Sequence, residues 1–189
     1  MDENYFQKPI ADRRRNEYAV VIFLPHHLDE LIAPLREKYD PLYNLVSAHL
    51  TLVFPFYSNR PLEELVGAIK AVVSRTEPLV VELDSIGDFY PKSPCIYWSV
   101  RSNNSLTDLY YGLYAGLDLP LELKEYVPHV TIAREISNHR VMMVKDAVAS
   151  YLPFEKFEVE AVDLITPLAG RKWVSVRTIP LSGLDFLSL

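Results

Sequence analysis

Two short stretches of the chain carry the same residue types in the same order. They are His49-Leu50-Thr51-Leu52 and His129-Val130-Thr131-Ile132, 80 residues apart. In an extended strand side chains alternate between faces, so His49 and Thr51 share one face while Leu50, Leu52 and Phe54 take the other. His129 and Thr131 stand in the same relation to Val130 and Ile132. The apolar face can pack on helices, which leaves the His-Thr face toward whatever lies opposite. Residues i and i+2 lie about 6.6–6.8 Å apart along a strand, so a phosphate fits between ring and hydroxyl. Threonine donates to a non-bridging oxygen, and an imidazole titrating near an ordinary pKa of about 6.5 gives or takes a proton around neutral pH. One histidine can act as general base on water or a hydroxyl while the other protonates the leaving oxygen, without a metal. Either assignment of acid and base is open.

The elements around the motifs repeat as well. Tyr18 to Leu24 is a short β-branched and aromatic run ending at Pro25, and so reads as a strand. Leu28, Leu31, Ile32 and Leu35 then fall on one face of a helix. His49 to Phe54 reads as a strand. Ser58, Asn59 and Pro61 open a helix carried by Leu62, Leu65, Val66, Ile69, Val72 and Val73. Leu79 to Leu83 closes the unit as a third strand. The order recurs with a strand over Cys95 to Val100 and a helix behind Asn103 and Asn104, with Leu106, Leu109, Tyr110, Leu113 and Leu117 on one face. A strand from His129 to Ala133, a helix marked by Val141, Val144, Val148 and Tyr151, and a strand from Phe157 to Ile165 complete it. Matched positions (Tyr18 with Cys95, His49 with His129, Leu79 with Phe157) keep an offset of 77–80 residues. A further strand is expected at Trp173 to Thr178.

This pattern predicts an α+β fold with two lobes related by a pseudo-two-fold axis, each a βαβαβ unit. Mainly antiparallel sheets would line a central cleft, with helices outside. Residues 1–16 read as a polar arm containing Arg13, Arg14 and Arg15, and 17–189 as one bilobal domain. The lobes would come from repeats near 17–90 and 91–180, with strand exchange between them left open. If the symmetry holds, two imidazoles and two hydroxyls converge across one cleft.

Composition narrows the partners. The chain has 189 residues, of which 49% are hydrophobic and 23% charged, the balance of a soluble globular protein. Its net charge of −6 argues against a protein that coats long DNA or RNA, whose affinity comes largely from phosphate neutralisation. A small nucleotide or an RNA end held in a local pocket is compatible with that charge. The single cysteine, Cys95, excludes an intramolecular disulfide and fits a reducing cytoplasm. No apolar run is long enough to span a bilayer, and no membrane partner is expected.

The paired His-x-Thr motifs, the second continuing Ala133-Arg134, resemble the 2H phosphoesterase superfamily, specifically the 2′-5′ RNA ligase-like proteins. The similarity in order of elements runs from Glu17 to Pro180. It implies a bilobal α+β fold with histidines facing across a groove, and cleavage or formation of phosphodiesters such as 2′,3′-cyclic phosphates or 2′-5′ linkages. It further implies that His49 and His129 are the acid–base pair, that Thr51, Thr131 and Arg134 bind phosphate, and that hydrolysis needs no metal or other cofactor. Strict alternation puts Arg134 on the face opposite His129, so its part requires a strand end or bulge there. The first motif runs into Val53-Phe54-Pro55-Phe56, where ligase-named relatives commonly have an aliphatic run ending in glycine.

Other side chains admit plainer roles. Phe56, Tyr57 and Tyr126, with Phe89 and Tyr90, flank the expected groove as candidates for stacking on a base. His26, His27, Asp29 and Glu30 resemble a metal cluster, but adjacent residues diverge on a helix and the acids fit an ordinary first turn. Arg171 and Lys172 fit a hairpin turn with Gly170, or the rim of an anion site. The expected activity is thus a metal-independent phosphodiesterase acting on a nucleotide or RNA end. A phosphate-binding protein without turnover, a 2′-5′ RNA ligase and a metal-dependent hydrolase remain as alternatives.

Overall fold

The strand and helix signals resolve, in a computed structural model, into eight strands and four helices; residues 16–101, 103–121, 125–169 and 171–182 are described. The first strand, β1, is Asn16–Phe23, and α1, His26–Tyr39, starts behind Pro25, whose carbonyl accepts from Leu28 N and Asp29 N at 2.9 and 3.0 Å. Next come β2 (His49–Ser58), α2 (Leu62–Val73) and β3 (Leu79–Asp88). The second half runs β4 (Ile96–Val100), α3 (Asn104–Gly116), β5 (His129–Ala133) and, after a 3-10 turn at Asn138–Arg140, α4 (Val141–Tyr151). It ends with β6 (Glu155–Val159), β7 (Ala161–Pro167) and β8 (Trp173–Pro180).

Three sequence readings are corrected. Ser58 belongs to β2, and Pro61 alone stands at the N-cap of α2. The run from Phe157 to Ile165 is two strands broken at Glu160, β6 pairing with β3 and β7 with β1. No glycine or proline marks that break, so local signals had nothing to read there. Asn16, read as part of the arm, already pairs with Ser58 in β1; Arg13, Arg14 and Arg15 lie outside the described residues.

All the strands form one sheet in the order β6-β3-β4-β5-β2-β1-β7-β8, with every neighbouring pair antiparallel. Reversing that order exchanges β2 with β5 and β1 with β4, which is the expected pseudo-two-fold relation. It also exchanges β3 with β7 and β6 with β8. The third strand of the first repeat is therefore equivalent in the sheet to β7, and the sequence match of Leu79 with Phe157 joined two strands of the same half. Chain order and sheet order part company because β3 crosses to pair with β4.

Near the middle the helices also cross. The α1 helix packs on β5 and α3 on β2, each reaching into the other half. Buried side chains of both halves, among them Leu28, Ile32, Leu50, Leu52, Leu106, Tyr110, Val130 and Ile132, make one continuous core. A small second cluster of Ala19, Val21 and Ile165, with Phe23 and Trp173 packed on it, involves other β1 side chains than those in the main core.

The start of α3 depends on one asparagine. Asn103 Oδ1 accepts from Leu106 N at 3.1 Å as the helix cap, while its Nδ2 donates to Val80 O in β3 at 2.8 Å. Replacing Asn103 by Ala removes the cap and the tie to β3, and is expected to cost about 1–2 kcal/mol in urea unfolding. An unchanged midpoint would show that water replaces both bonds without loss.

Candidate active site

The two halves of the sheet meet where Leu50 in β2 pairs with Val130 in β5. Both residues are fully buried on the core side. Extending this antiparallel register by one residue each way sets His49 across from Thr131 and Thr51 across from His129. Directly opposed residues in an antiparallel pair point to the same face. Two histidines and two threonines therefore share the face turned away from Leu50 and Val130, and all four are half-buried. Backbone spacings put the two histidines diagonally about 8 Å apart, a separation that admits a phosphoryl group.

Both imidazoles are held in the same way. His49 Nδ1 lies 2.8 Å from Ser47 O, and His129 Nδ1 lies 2.8 Å from Val127 O. A carbonyl can only accept, so Nδ1 carries the proton and donates in each ring. Each Nε2 is then left with a free lone pair in the neutral form, as a general base requires. Burial is the largest cause that holds both rings down to about 4, and the charge of Arg134 acts in the same direction on each. His49 also feels Arg36 and His129.

The charge of Arg134 acts on both histidines, and because β5 ends at Ala133, strand alternation no longer applies to it. Its backbone N donates to Tyr39 O at 2.9 Å, and the next residue, Glu135, takes φ 54°. The side chain is partly exposed, with Nε 3.2 Å from Asp40 Oδ1. Asp40 and Arg36, both buried, were missed by the sequence reading. One signal was available: Leu28, Ile32, Arg36 and Asp40 form a single i+4 stripe, in which two charged residues continue an apolar face. Cys95 is buried against the same region, and burial pushes its thiol up, while Arg134 and a hydrogen bond with Thr131 act against that.

Among the aromatic candidates, only Phe89 lies against a site histidine. Its ring is edge-on to His129 at 5.0 Å, and Tyr97, which the sequence reading did not single out, lies 5.0 Å from the same ring. Tyr97 occupies space kept open by Gly87, where a Cβ would stand 2.4 Å from the tyrosine ring. Phe23 stands 6.4 Å from His49. Tyr126 is not a stacking platform: its ring is stacked on Tyr110 at 4.0 Å inside the core, and its hydroxyl donates to Thr51 O at 2.9 Å. Phe56 packs on Tyr18 at 6.1 Å against the core. Tyr57 is exposed and hydrogen-bonded to Glu17, roughly 27 Å along the strand from His49. Tyr90 is exposed and no ring contact ties it to either histidine.

Of the remaining charged candidates, Asp29 accepts from Ala48 N at 3.1 Å, next to His49 in the chain. His26 is exposed and 3.3 Å from Glu30, one helical turn on. Arg171, at φ 65°, sits in the turn where its N donates to Leu168 O at 2.9 Å and Leu168 N donates to Lys172 O at 2.8 Å. Among the described residues no helix is long and apolar enough to cross a membrane.

A family model described as the 2′-5′ RNA ligase superfamily matches residues 24–171. A Geobacillus thermodenitrificans protein named "Putative phosphoesterase" is 27% identical over 169 residues, covering 88% of this chain and 97% of its own. A Bacillus cereus protein of the same name is 32% identical over 120 residues, covering 63% of this chain and 70% of its own. The fold is similar to E. coli LigT complexed with 3′-AMP, at TM-score 0.65, 18% identity and coverage of 89% of this chain and 99% of that one. LigT complexed with phosphate matches with TM-score 0.62, 19% identity and the same coverages.

Because the native rings are depressed to about 4 from an ordinary 6.5, the unfolded chain binds more protons than the native one between those values. Stability contributed by the neutral rings is present above about 6.5 and lost as pH falls toward 4. Proton NMR of the imidazole Hε1 signals is expected to show His49 and His129 titrating near 4. Urea unfolding is expected to lose stability between pH 6.5 and 4.5, less so in His49→Gln and His129→Gln. Midpoints at 6 or above for both rings would contradict the burial argument.

Proposed function

The chain belongs to the 2′-5′ RNA ligase superfamily, and on that premise we propose that it is a phosphodiesterase using His49 and His129 as a metal-independent acid–base pair. The observation that carries this reading is the register at Leu50 and Val130, with both Nδ1 atoms tied to carbonyls and both Nε2 atoms left free. Thr51 and Thr131 donate to non-bridging phosphate oxygens, and Arg134 adds a fixed positive charge. The substrate class is a small nucleotide or an RNA end, best a 2′,3′-cyclic phosphate. Two facts favour a small substrate: the net charge of −6, and the capture of 3′-AMP and of phosphate by LigT, which shares the fold. Phe89 and Tyr97 beside His129 offer a face for the nucleoside.

The free rings are neutral at pH 7, so the acid must be made by the substrate. A bound phosphodiester anion raises the pKa of the imidazoles it touches, and one ring takes up a proton. The neutral partner accepts a proton from water through Nε2 as the water oxygen bonds to phosphorus. The bond from phosphorus to the leaving oxygen breaks, and the protonated ring supplies that oxygen's proton. A cyclic phosphate opens to a monoester, and each ring ends in the protonation state the other began with. A second round requires proton exchange with solvent.

Simple phosphate binding would be better served by Arg or Lys at the positions of the two histidines, since those stay charged. Ligation would use the same two proton transfers with a substrate hydroxyl in place of water, its oxygen bonding to phosphorus as the ring P–O bond breaks.

Phosphorus NMR with the four 2′,3′-cyclic nucleotides in EDTA tests the reading. Ring opening is expected to persist in EDTA and to fall by about 10²–10⁴-fold in His49→Ala and in His129→Ala. Turnover that dies in EDTA, or survives intact in either variant, would refute the paired mechanism. Since one protonated ring is needed, kcat/KM is expected to be higher at pH 5.5 than at pH 7.5.

A further inference from the structure

Resting on the reading of Arg134 as a phosphate ligand, we infer that Asp40 is the positioning residue that aims Arg134 at the groove. Asp40 caps α1 in extended conformation, its N donating to Arg36 O at 2.7 Å. Its carboxylate is fully buried, and the two oxygens have different partners. Oδ2 accepts from Arg36 Nε at 3.2 Å and Nη2 at 2.9 Å. Oδ1 accepts from Leu42 N at 3.1 Å and lies 3.2 Å from Arg134 Nε. Arg134 Nε meets that oxygen as an ion pair without the alignment of a hydrogen bond. The fork of Nη1 and Nη2 is accepted by no described residue, which leaves both for an anion.

The network continues into the strand that carries the first histidine. Arg36 Nη2 donates to Val46 O at 3.0 Å, and Asp29 Oδ1, 3.7 Å from Arg36 Nη1, accepts from Ala48 N at 3.1 Å. Ser47, whose carbonyl holds the His49 ring, lies between those two anchors. One buried carboxylate thus links α1, the approach to β2 and the end of β5.

Stability alone is a weak reason to keep such a cluster. Desolvating buried ions offsets much of their attraction, and apolar replacements of similar volume are often neutral or better. What the charges fix is geometry. Arg36 already satisfies Oδ2, so the contact from Oδ1 to Arg134 adds direction. It holds the guanidinium at Nε and leaves the donor fork unclaimed by the described residues, while its charge opposes protonation of both imidazoles.

The test uses inorganic phosphate as probe, with dissociation constants read from imidazole and phosphorus NMR shifts of the full chain. Arg134→Gln is expected to weaken phosphate binding at least tenfold; no effect would remove the underlying reading of the site. Given that effect, Asp40→Asn is expected to weaken binding tenfold or more in the parent and less than twofold in the Arg134→Gln background. Its effect on thermal midpoint is expected to persist in the Arg134→Gln background, where Arg36 still loses its charged partner. An affinity within twofold of the parent, or an equal loss in both backgrounds, would overturn the positioning role. Arg134→Lys gives an answer even where Asp40→Asn does not fold. An ammonium held on Asp40 in place of Nε has no planar fork to project beyond that contact, so Lys is expected to bind within threefold of Gln. Retention of near-parental affinity by Lys would overturn the inference.

Discussion

The antiparallel pairing of Leu50 with Val130 is the contact on which the rest of the site depends. It joins the two halves of the sheet, and it also sets the register of two strands of opposite direction. Side chains alternate with a period of two, so a slip of one residue would turn one His-Thr pair into the core and bring two apolar residues into the groove. Complete burial of Leu50, Leu52, Val130 and Ile132 makes that slip costly. The hydrophobic core on one face thereby fixes the chemistry on the other.

The same burial sets the electrostatics. Half-buried imidazoles beside a guanidinium are kept neutral, with Nδ1 on a carbonyl and Nε2 free. Under the proposed function, positive charge beside two neutral rings suits an anion, which would relieve Arg134 and favour protonation of a ring at once. In that reading, charge on the ligand becomes part of the acid–base machinery. Such a site needs little overall positive charge, which reconciles an acidic chain with an anionic ligand.

Pseudo-symmetry goes only as far as the backbone. His129 is flanked by Phe89 and Tyr97, while His49 has Phe23 at a longer distance. Arg134 has no counterpart read from the first motif, where Leu52, Val53 and Phe54 continue the strand instead of ending it. Equivalent strands therefore offer unequal surroundings to the two ends of a substrate. In the proposed mechanism, inequality of this kind would let one ring serve as acid and the other as base.

What was legible in the sequence follows from short-range physics. Alternation placed His49 with Thr51 and His129 with Thr131, apolar spacing located the four helices, and the constant offset between motifs revealed the repeat. Long-range pairing lay beyond it. The crossing of β3 to β4, the break at Glu160, the burial of Tyr126 under Tyr110 and the distance of Tyr57 from the histidines all depend on which strand finds which neighbour. Asp40 meets Arg134 across 94 residues of chain only because α1 crosses the seam to pack on β5. Sequence periodicity determines which way a side chain points within its own element. Only the assembled sheet decides what it points at, because burial and charge pairing are properties of the packed whole.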